Sequence, residues 1–228
     1  MRFLALATDY DGTLATDGVV DRETVAALGR LAATGRKLIL VSGRQLHDLL
    51  HVFPETSLFD AVVAENGAVL YRPASRATRV LASPPSRHFV EALQRRGVAP
   101  LWLGHVVVAT VQPNDGPVMD VIRELGLDLQ VILNKGSVMV LPASVDKATG
   151  LRAALDELML SPQSVVAIGD AENDQAFLAT SGYGVAVANA LDPLKARARH
   201  VTRGEAGAGV REIIDELISG SLEQGAPQ

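Results

Sequence analysis

Leu4-Ala5-Leu6-Ala7-Thr8-Asp9-Tyr10-Asp11-Gly12-Thr13-Leu14 runs from a short apolar segment into two carboxylates two positions apart, with a glycine and a threonine directly behind them. A short apolar run without strict alternation reads as a strand buried on both faces. Two charges at its C-terminal end are costly to desolvate unless something uses them. In open α/β sheets the carboxyl ends of parallel strands are also where binding crevices form.

The rest of the chain repeats the pattern. Strand-like runs near 2–8, 37–42, 60–64, 164–168 and 183–187 alternate with helix-like stretches near 21–34, 44–52, 146–159, 172–180 and 206–219. That alternation predicts an α/β fold: a Rossmann-like, doubly wound parallel sheet with helices on both sides. Asp21 is a start signal for the 21–34 helix and Gly35 a stop signal. From about 70 to 143 prolines become frequent (Pro73, Pro84, Pro85, Pro100, Pro113, Pro117), and strand-like pieces at 104–111, 128–133 and 137–141 flank a helical stretch at 117–126. Asn134-Lys135-Gly136 between the last two strands reads as a hairpin turn. The predicted organisation is a core formed by 1–69 and 144–220, an inserted small α+β module at 70–143, and a disordered tail at 221–228.

Composition narrows the function classes. The 228 residues carry a net charge of −5, which disfavours a nucleic-acid partner. No segment reaches the roughly 18 uninterrupted apolar residues of a membrane span. The acidic motif begins after only eight residues, leaving no room for a signal peptide. The absence of cysteine excludes disulfides and zinc-thiolate sites and suits a cytoplasmic setting.

Four stretches could carry chemistry together: Asp9 to Thr13; Val41-Ser42-Gly43-Arg44; Lys147, opening a helix after Pro142; and Gly169-Asp170-Ala171-Glu172-Asn173-Asp174. Each has an ordinary structural reading: a turn with an aspartate cap, a serine N-cap, a solvated lysine, an acidic first helical turn. Their order, and the strand end beside three of them, favour one shared pocket. The chemistry such a pocket suits is phosphoryl transfer. Two unit charges about 4 Å apart repel by about 4 kcal/mol at an effective dielectric near 20, and a phosphate dianion facing a carboxylate roughly doubles that. Aspartate oxygens without Cys or His point to Mg²⁺ as the compensating ion. Lys147 adds a cation, and Ser42 with N–H groups at a helix start can hold phosphate oxygens.

Taken together, the motifs resemble those of the haloacid dehalogenase (HAD) superfamily of phosphohydrolases. Asp170, Asn173 and Asp174 are similar to the GDxxND form of its Cof-type members, and Ala64-Glu65-Asn66-Gly67-Ala68 resembles a signature of subclass IIB. The resemblance spans about 3–218 and implies a HAD core with an α/β cap inserted over the active site. It implies a Mg²⁺-dependent phosphatase acting on a small-molecule phosphate ester through an aspartyl-phosphate. The short cap is similar to those of phosphoglycolate or sugar-phosphate phosphatases. Carried over by residue, Asp9 is the nucleophile. Asp11 is the acid for the leaving alcohol and then the base for water, so Asp9 must be ionised while Asp11 holds a proton. Lys147 steadies Asp9 and the phosphoryl group. Thr13, Ser42, Gly43, Arg44 and Asn173 bind or position the phosphate. Asp9, the backbone carbonyl of Asp11, Asp170 and, as an auxiliary, Asp174 hold the metal.

Three rival readings share these residues: a phosphomutase of the same superfamily, a non-enzymatic phospho-acceptor signalling module, and a degenerate, non-catalytic binding protein, against which every motif residue is present. The leaving group is expected to be chosen by the cap, where Arg72, Arg76, Arg79, His88, Arg95, Arg96, Trp102, His105 and Lys135 are candidates. Basic residues between 72 and 96 would favour an acidic leaving group.

Overall fold

The computed structural model describes residues 2–224. Its large sheet contains β1 (Ala5–Asp9), β2 (Lys37–Val41), β3 (Ala61–Ala64), β4 (Val69–Arg72) and β5 (Ala77–Val80), and later in the chain β10 (Val165–Gly169), β11 (Tyr183–Ala186) and β12 (His200–Val201). The strand order is β12-β11-β10-β1-β2-β3-β4-β5. β12 to β3 are parallel, and β4 and β5 add an antiparallel margin. Every residue of β1, β3 and β10 is buried, as strands covered on both faces require.

The helices are α1 (Arg22–Ala33), α2 (Leu46–Val52), α3 (Arg87–Arg95), α4 (Asp115–Glu124), α5 (Lys147–Leu158), α6 (Gln175–Thr180), α7 (Asp192–Lys195), α8 (Ala206–Ser219) and α9 (Ser221–Gln224). α1 starts where the sequence predicted: the Asp21 side chain accepts from Thr24 N at 2.8 Å. Strand order reverses at β1, with β2 and β3 on one side and β10 and β11 on the other. With right-handed crossovers, that reversal sends connecting helices to both faces and opens a crevice at the carboxyl ends of β1 and β10. Register fixes its contents: Thr8 lies beside Ile168, and Asp9 beside Val41.

The second sheet holds β6 (Trp102–Leu103), β7 (Val108–Val111), β8 (Leu129–Asn134) and β9 (Ser137–Pro142), in antiparallel order β6-β7-β9-β8. β9 alternates, as a strand between two layers must. Val138 and Val140 pack with Phe89, Leu93, Val118 and Val121 of α3 and α4. Met139 and Leu141 pack with Leu46, Ala64, Ala68 and Val69.

Three elements differ from the sequence reading. Residues 70–80, expected inside the insertion, belong to the β4–β5 hairpin of the large sheet, because Val69 and Leu70 have core to bury against beside β3. The proline-rich segment hides α3, whose start is set by Ser86 accepting from Phe89 N. In the expected disordered tail, Ser221–Gln224 form α9, with Leu222 buried in the main core; residues 225–228 lie outside the described residues.

Candidate active site

Asp9 ends β1 with 4% of its surface exposed, and its Oδ1 accepts from Lys147 Nζ at 2.5 Å. Lys147 also donates to Asp174 Oδ1 at 2.6 Å. α5 presents this lysine at its first turn because Asp146 caps the helix, accepting from Thr149 N at 2.7 Å. Burial alone would lower the Lys147 pKa, but the carboxylates of Asp174 and Asp9 outweigh it and hold the ammonium well above its ordinary range. Asp9 moves the other way. Burial, with Asp174 and Asp170 nearby, raises its pKa despite Lys147. Two carboxylates, Asp9 and Asp174, share one buried lysine with Asp170 close by, so the corner is short of buried positive charge.

The metal ligands expected from sequence converge here. Carboxylate oxygens of Asp9, Asp170 and Asp174 lie within 4.8 Å of one another. Asp174 is fully engaged, with Oδ1 on Lys147 and Oδ2 accepting from Asp170 N and Ala171 N at 2.9 Å each. Asp170 receives Thr13 Oγ1 on Oδ1 at 3.2 Å and a lysine on Oδ2. That lysine is Lys135, from the β8–β9 turn, which also donates to the backbone carbonyl of Asp11 at 2.7 Å. An ammonium thus already sits between two oxygens assigned to the metal. Gly12, at φ +88°, leaves the space open: a Cβ there would lie 2.3 Å from both Asp170 Oδ2 and Lys135 Nζ. An all-oxygen cradle fits a hard divalent cation.

The remaining expected residues are distributed differently. The Asp11 side chain is held by Arg44, whose Nε and Nη2 donate to its two oxygens at 2.8 Å each while Nη1 reaches Asp48 at 2.8 Å. Arg44 is therefore committed to carboxylates rather than presented to a phosphate. Thr13 is buried against Asp170. Ser42, also buried, accepts from Arg44 N at 3.1 Å. Gly43 faces the Asn66 amide, which a Cβ would approach to 3.1 Å. Asn173 donates to Asn66 Oδ1 at 3.0 Å and borders a second cavity that also reaches Lys147.

A cavity of about 650 Å³ lies over Asp9 and Lys147. Of the insertion's candidates, Trp102 and Lys135 line it. Of the arginines expected to read an acidic leaving group, Arg72 and Arg79 pair with Glu157 and Arg96 with Glu124, away from the cavity. Their own side chains lie on faces already supplied with carboxylates, which sequence spacing could not reveal.

Comparison with known proteins fits this geometry. A family model described as haloacid dehalogenase-like hydrolase matches residues 6–114 and 128–214. The chain belongs to the haloacid dehalogenase-like hydrolases. A phosphoglycolate phosphatase of Methanothermobacter thermautotrophicus is 30% identical over 221 residues, covering 94% of this chain and 98% of that one. Phosphoglycolate phosphatase 1 of Saccharolobus solfataricus is 28% identical, covering 94% and 96%. Among solved structures, a haloacid dehalogenase-like hydrolase from Bacteroides thetaiotaomicron superposes with a TM-score of 0.82 at 20% identity, covering 95% of this chain and 100% of that one. A subclass IIB sugar phosphatase, BT4131, does so with a TM-score of 0.76 at 17% identity, covering 93% and 98%. The chain is a HAD phosphatase of the Cof type, a phosphoric monoester hydrolase.

Within this HAD site, two residues carry more than the motifs suggested. Glu65, fully buried, accepts from the backbone N–H of His105, Val106 and Val107 at 2.8–2.9 Å and so fastens the insertion to the core. Asn189 donates to Gly12 O at 2.7 Å and accepts from Ala206 N at 2.7 Å, bracing the motif loop. The ENG stretch signalled Glu65; Asn189 had no signal.

Proposed function

We propose that this HAD phosphatase uses Mg²⁺ to hydrolyse a small phosphorylated metabolite, with phosphoglycolate the first candidate. One observation carries the reading: a buried aspartate at the switch point of the sheet, oriented by a lysine and set among carboxylates below a cavity of about 650 Å³. The full-length similarity to phosphoglycolate phosphatases supports the substrate class. Mg²⁺, held by Asp9, Asp170 and the Asp11 carbonyl, would offset the charge of the phosphate dianion.

In this proposal the Asp9 carboxylate attacks phosphorus and the ester P–O bond breaks. The proton of Asp11 goes to the departing alcohol oxygen. Asp11 then accepts a proton from the water that attacks the aspartyl-phosphate, releasing inorganic phosphate and restoring Asp9. Lys147 fixes Asp9 and faces the transferring group. Arg44 sets the Asp11 side chain with a two-point clamp that a single-point cation could not supply, and must release one of the two oxygens before that oxygen can carry the proton. The Ser42 hydroxyl and the Gly43 N–H would donate to phosphate oxygens, since the Ser42 and Arg44 N–H groups already donate to Val63 O and Ser42 Oγ.

A phosphate-release screen over phosphoglycolate, sugar phosphates and sugar-acid phosphates tests the reading, with and without Mg²⁺ and with Asp9→Asn as control. The expected result is Mg²⁺-dependent release, highest on phosphoglycolate and abolished in Asp9→Asn. Transfer of phosphate within the substrate without release would instead mark a mutase. A long-lived phosphoprotein without turnover would mark a signalling module.

A further inference from the structure

Lys135 occupies a place that its backbone does not favour. It is the first of two residues, Lys135 and Gly136, that link the paired ends of β8 and β9, Asn134 and Ser137. Its φ is +47° and that of Gly136 is +82°. A two-residue hairpin with both φ values positive is the turn in which Asn, Asp or Gly is preferred at the first position, because a side chain with a full Cβ is strained in the left-handed region. The ammonium explains what the turn gains from lysine. It reaches out of its own sheet to the core and lands on Asp11 O at 2.7 Å and Asp170 Oδ2 at 3.1 Å.

These two oxygens belong to the set that suits a divalent cation, and Gly12 provides the room between them. An ammonium on Asp11 O and Asp170 Oδ2 competes with a divalent ion for the same oxygens, and like charges at contact distance repel even where water screens them. Lys135 is 53% exposed, so it can swing into solvent when displaced. By contrast, Lys147 is 2% exposed and bound to two carboxylates, so it cannot yield in that way.

We propose that Lys135 is a built-in competitor for the metal: it fastens the β8–β9 turn over the metal-free site and is released when the ion binds. Metal loading is thereby coupled to freeing the turn that roofs the cavity. This rests on the reading that Asp9, Asp170 and the Asp11 carbonyl hold the ion.

The test uses Mg²⁺ alone, without substrate. Isothermal titration is run on wild type, on Lys135→Asn and on Asp170→Asn. Asparagine tolerates the positive φ, so the hairpin is kept while the reach to Asp11 and Asp170 is lost. Removing a half-buried ion pair and one charge-assisted hydrogen bond should tighten Mg²⁺ binding about tenfold in Lys135→Asn. Hydrogen exchange of residues 130–142 is read in parallel. In wild type Mg²⁺ should speed exchange at the turn, and in Lys135→Asn the turn should exchange quickly with or without the ion. Equal or weaker Mg²⁺ binding by Lys135→Asn, with binding in wild type that Asp170→Asn abolishes, overturns the competition while leaving the metal reading intact. No binding by wild type or Lys135→Asn overturns both.

Discussion

Replacing Lys147 with methionine removes one cation from between two buried carboxylates while keeping a similar side-chain volume. In wild type the ammonium donates to Asp9 at 2.5 Å and to Asp174 at 2.6 Å, and lysine and both acids are almost wholly out of water. Breaking a buried ion pair from one side typically costs about 3–5 kcal/mol, because the remaining charge is left without a partner. At about 2–4 °C per kcal/mol for a chain of this size, the metal-free protein should lose roughly 6–20 °C in melting temperature. The sign of the pH dependence follows from the same groups. Burial raises the Asp9 pKa even beside Lys147 and further without it, so the variant is least impaired at acidic pH and loses stability as pH rises through that raised value. Adding Asn at position 174 removes one of the stranded charges, and the double variant should melt above the single one. Calorimetry at pH 5 and pH 8 without divalent ions reads all three comparisons. A melting temperature for Lys147→Met within about 2 °C of wild type at pH 8 would refute the claim that this lysine neutralises the site.

Other expectations follow from neighbouring geometry. Arg44→Lys cannot span both Asp11 oxygens and Asp48, so steady-state phosphate release should fall at least about tenfold with the fold unchanged by circular dichroism. Gly150→Ala would set a Cβ 2.5 Å from Gly67 Cα and 2.5 Å from Val63 Cγ1, forcing α5 outward; a cost of about 1–3 kcal/mol in urea unfolding is expected. Asp21→Ala removes the α1 cap and the contact to Arg211, costing about 1 kcal/mol or more at pH 7. Although burial pushes the Asp21 pKa up, the Thr24 N–H and hydroxyl and Arg211 outweigh it and lower the pKa; the Asp21→Ala penalty should therefore shrink as pH falls through the lowered value. Mg²⁺ should raise the melting temperature more at pH 8 than at pH 5, because burial and neighbouring acids raise the Asp9 pKa and protons compete for it at the lower pH.

Much of the core was legible because its signals are local and repeated. The all-buried strands read as continuous apolar runs, and caps such as Asp21 mark helix starts within a residue. The carboxylates of Asp9, Asp170 and Asp174 could be brought together from sequence because parallel topology collects strand ends on one edge. What stayed hidden depends on distant pairing. β4 and β5 sit among turn residues and prolines; pairing with β3 makes the start of β4 core, and β5, exposed along its length, joins the sheet only through β4. Arg44 next to Ser42 looked like a phosphate ligand, but the nearest anion in space is Asp11. Lys135 read as one of several basic residues in the insertion; its contact with a residue 124 positions earlier has no sequence signature.

The central claim is that Asp9 carries the phosphoryl group. Its most direct test is peptide mass spectrometry after acid quench of the Asp11→Asn variant mixed with Mg²⁺ and an aryl phosphate. The aryl oxide departs without a donated proton, whereas water attack on the aspartyl-phosphate lacks its base, so the covalent species should accumulate. Phosphate on Asp9 is expected, and none when Asp9→Asn is combined with Asp11→Asn. Continued phosphate release with no phosphorylated Asp9 peptide, or phosphate on any other residue, would contradict it.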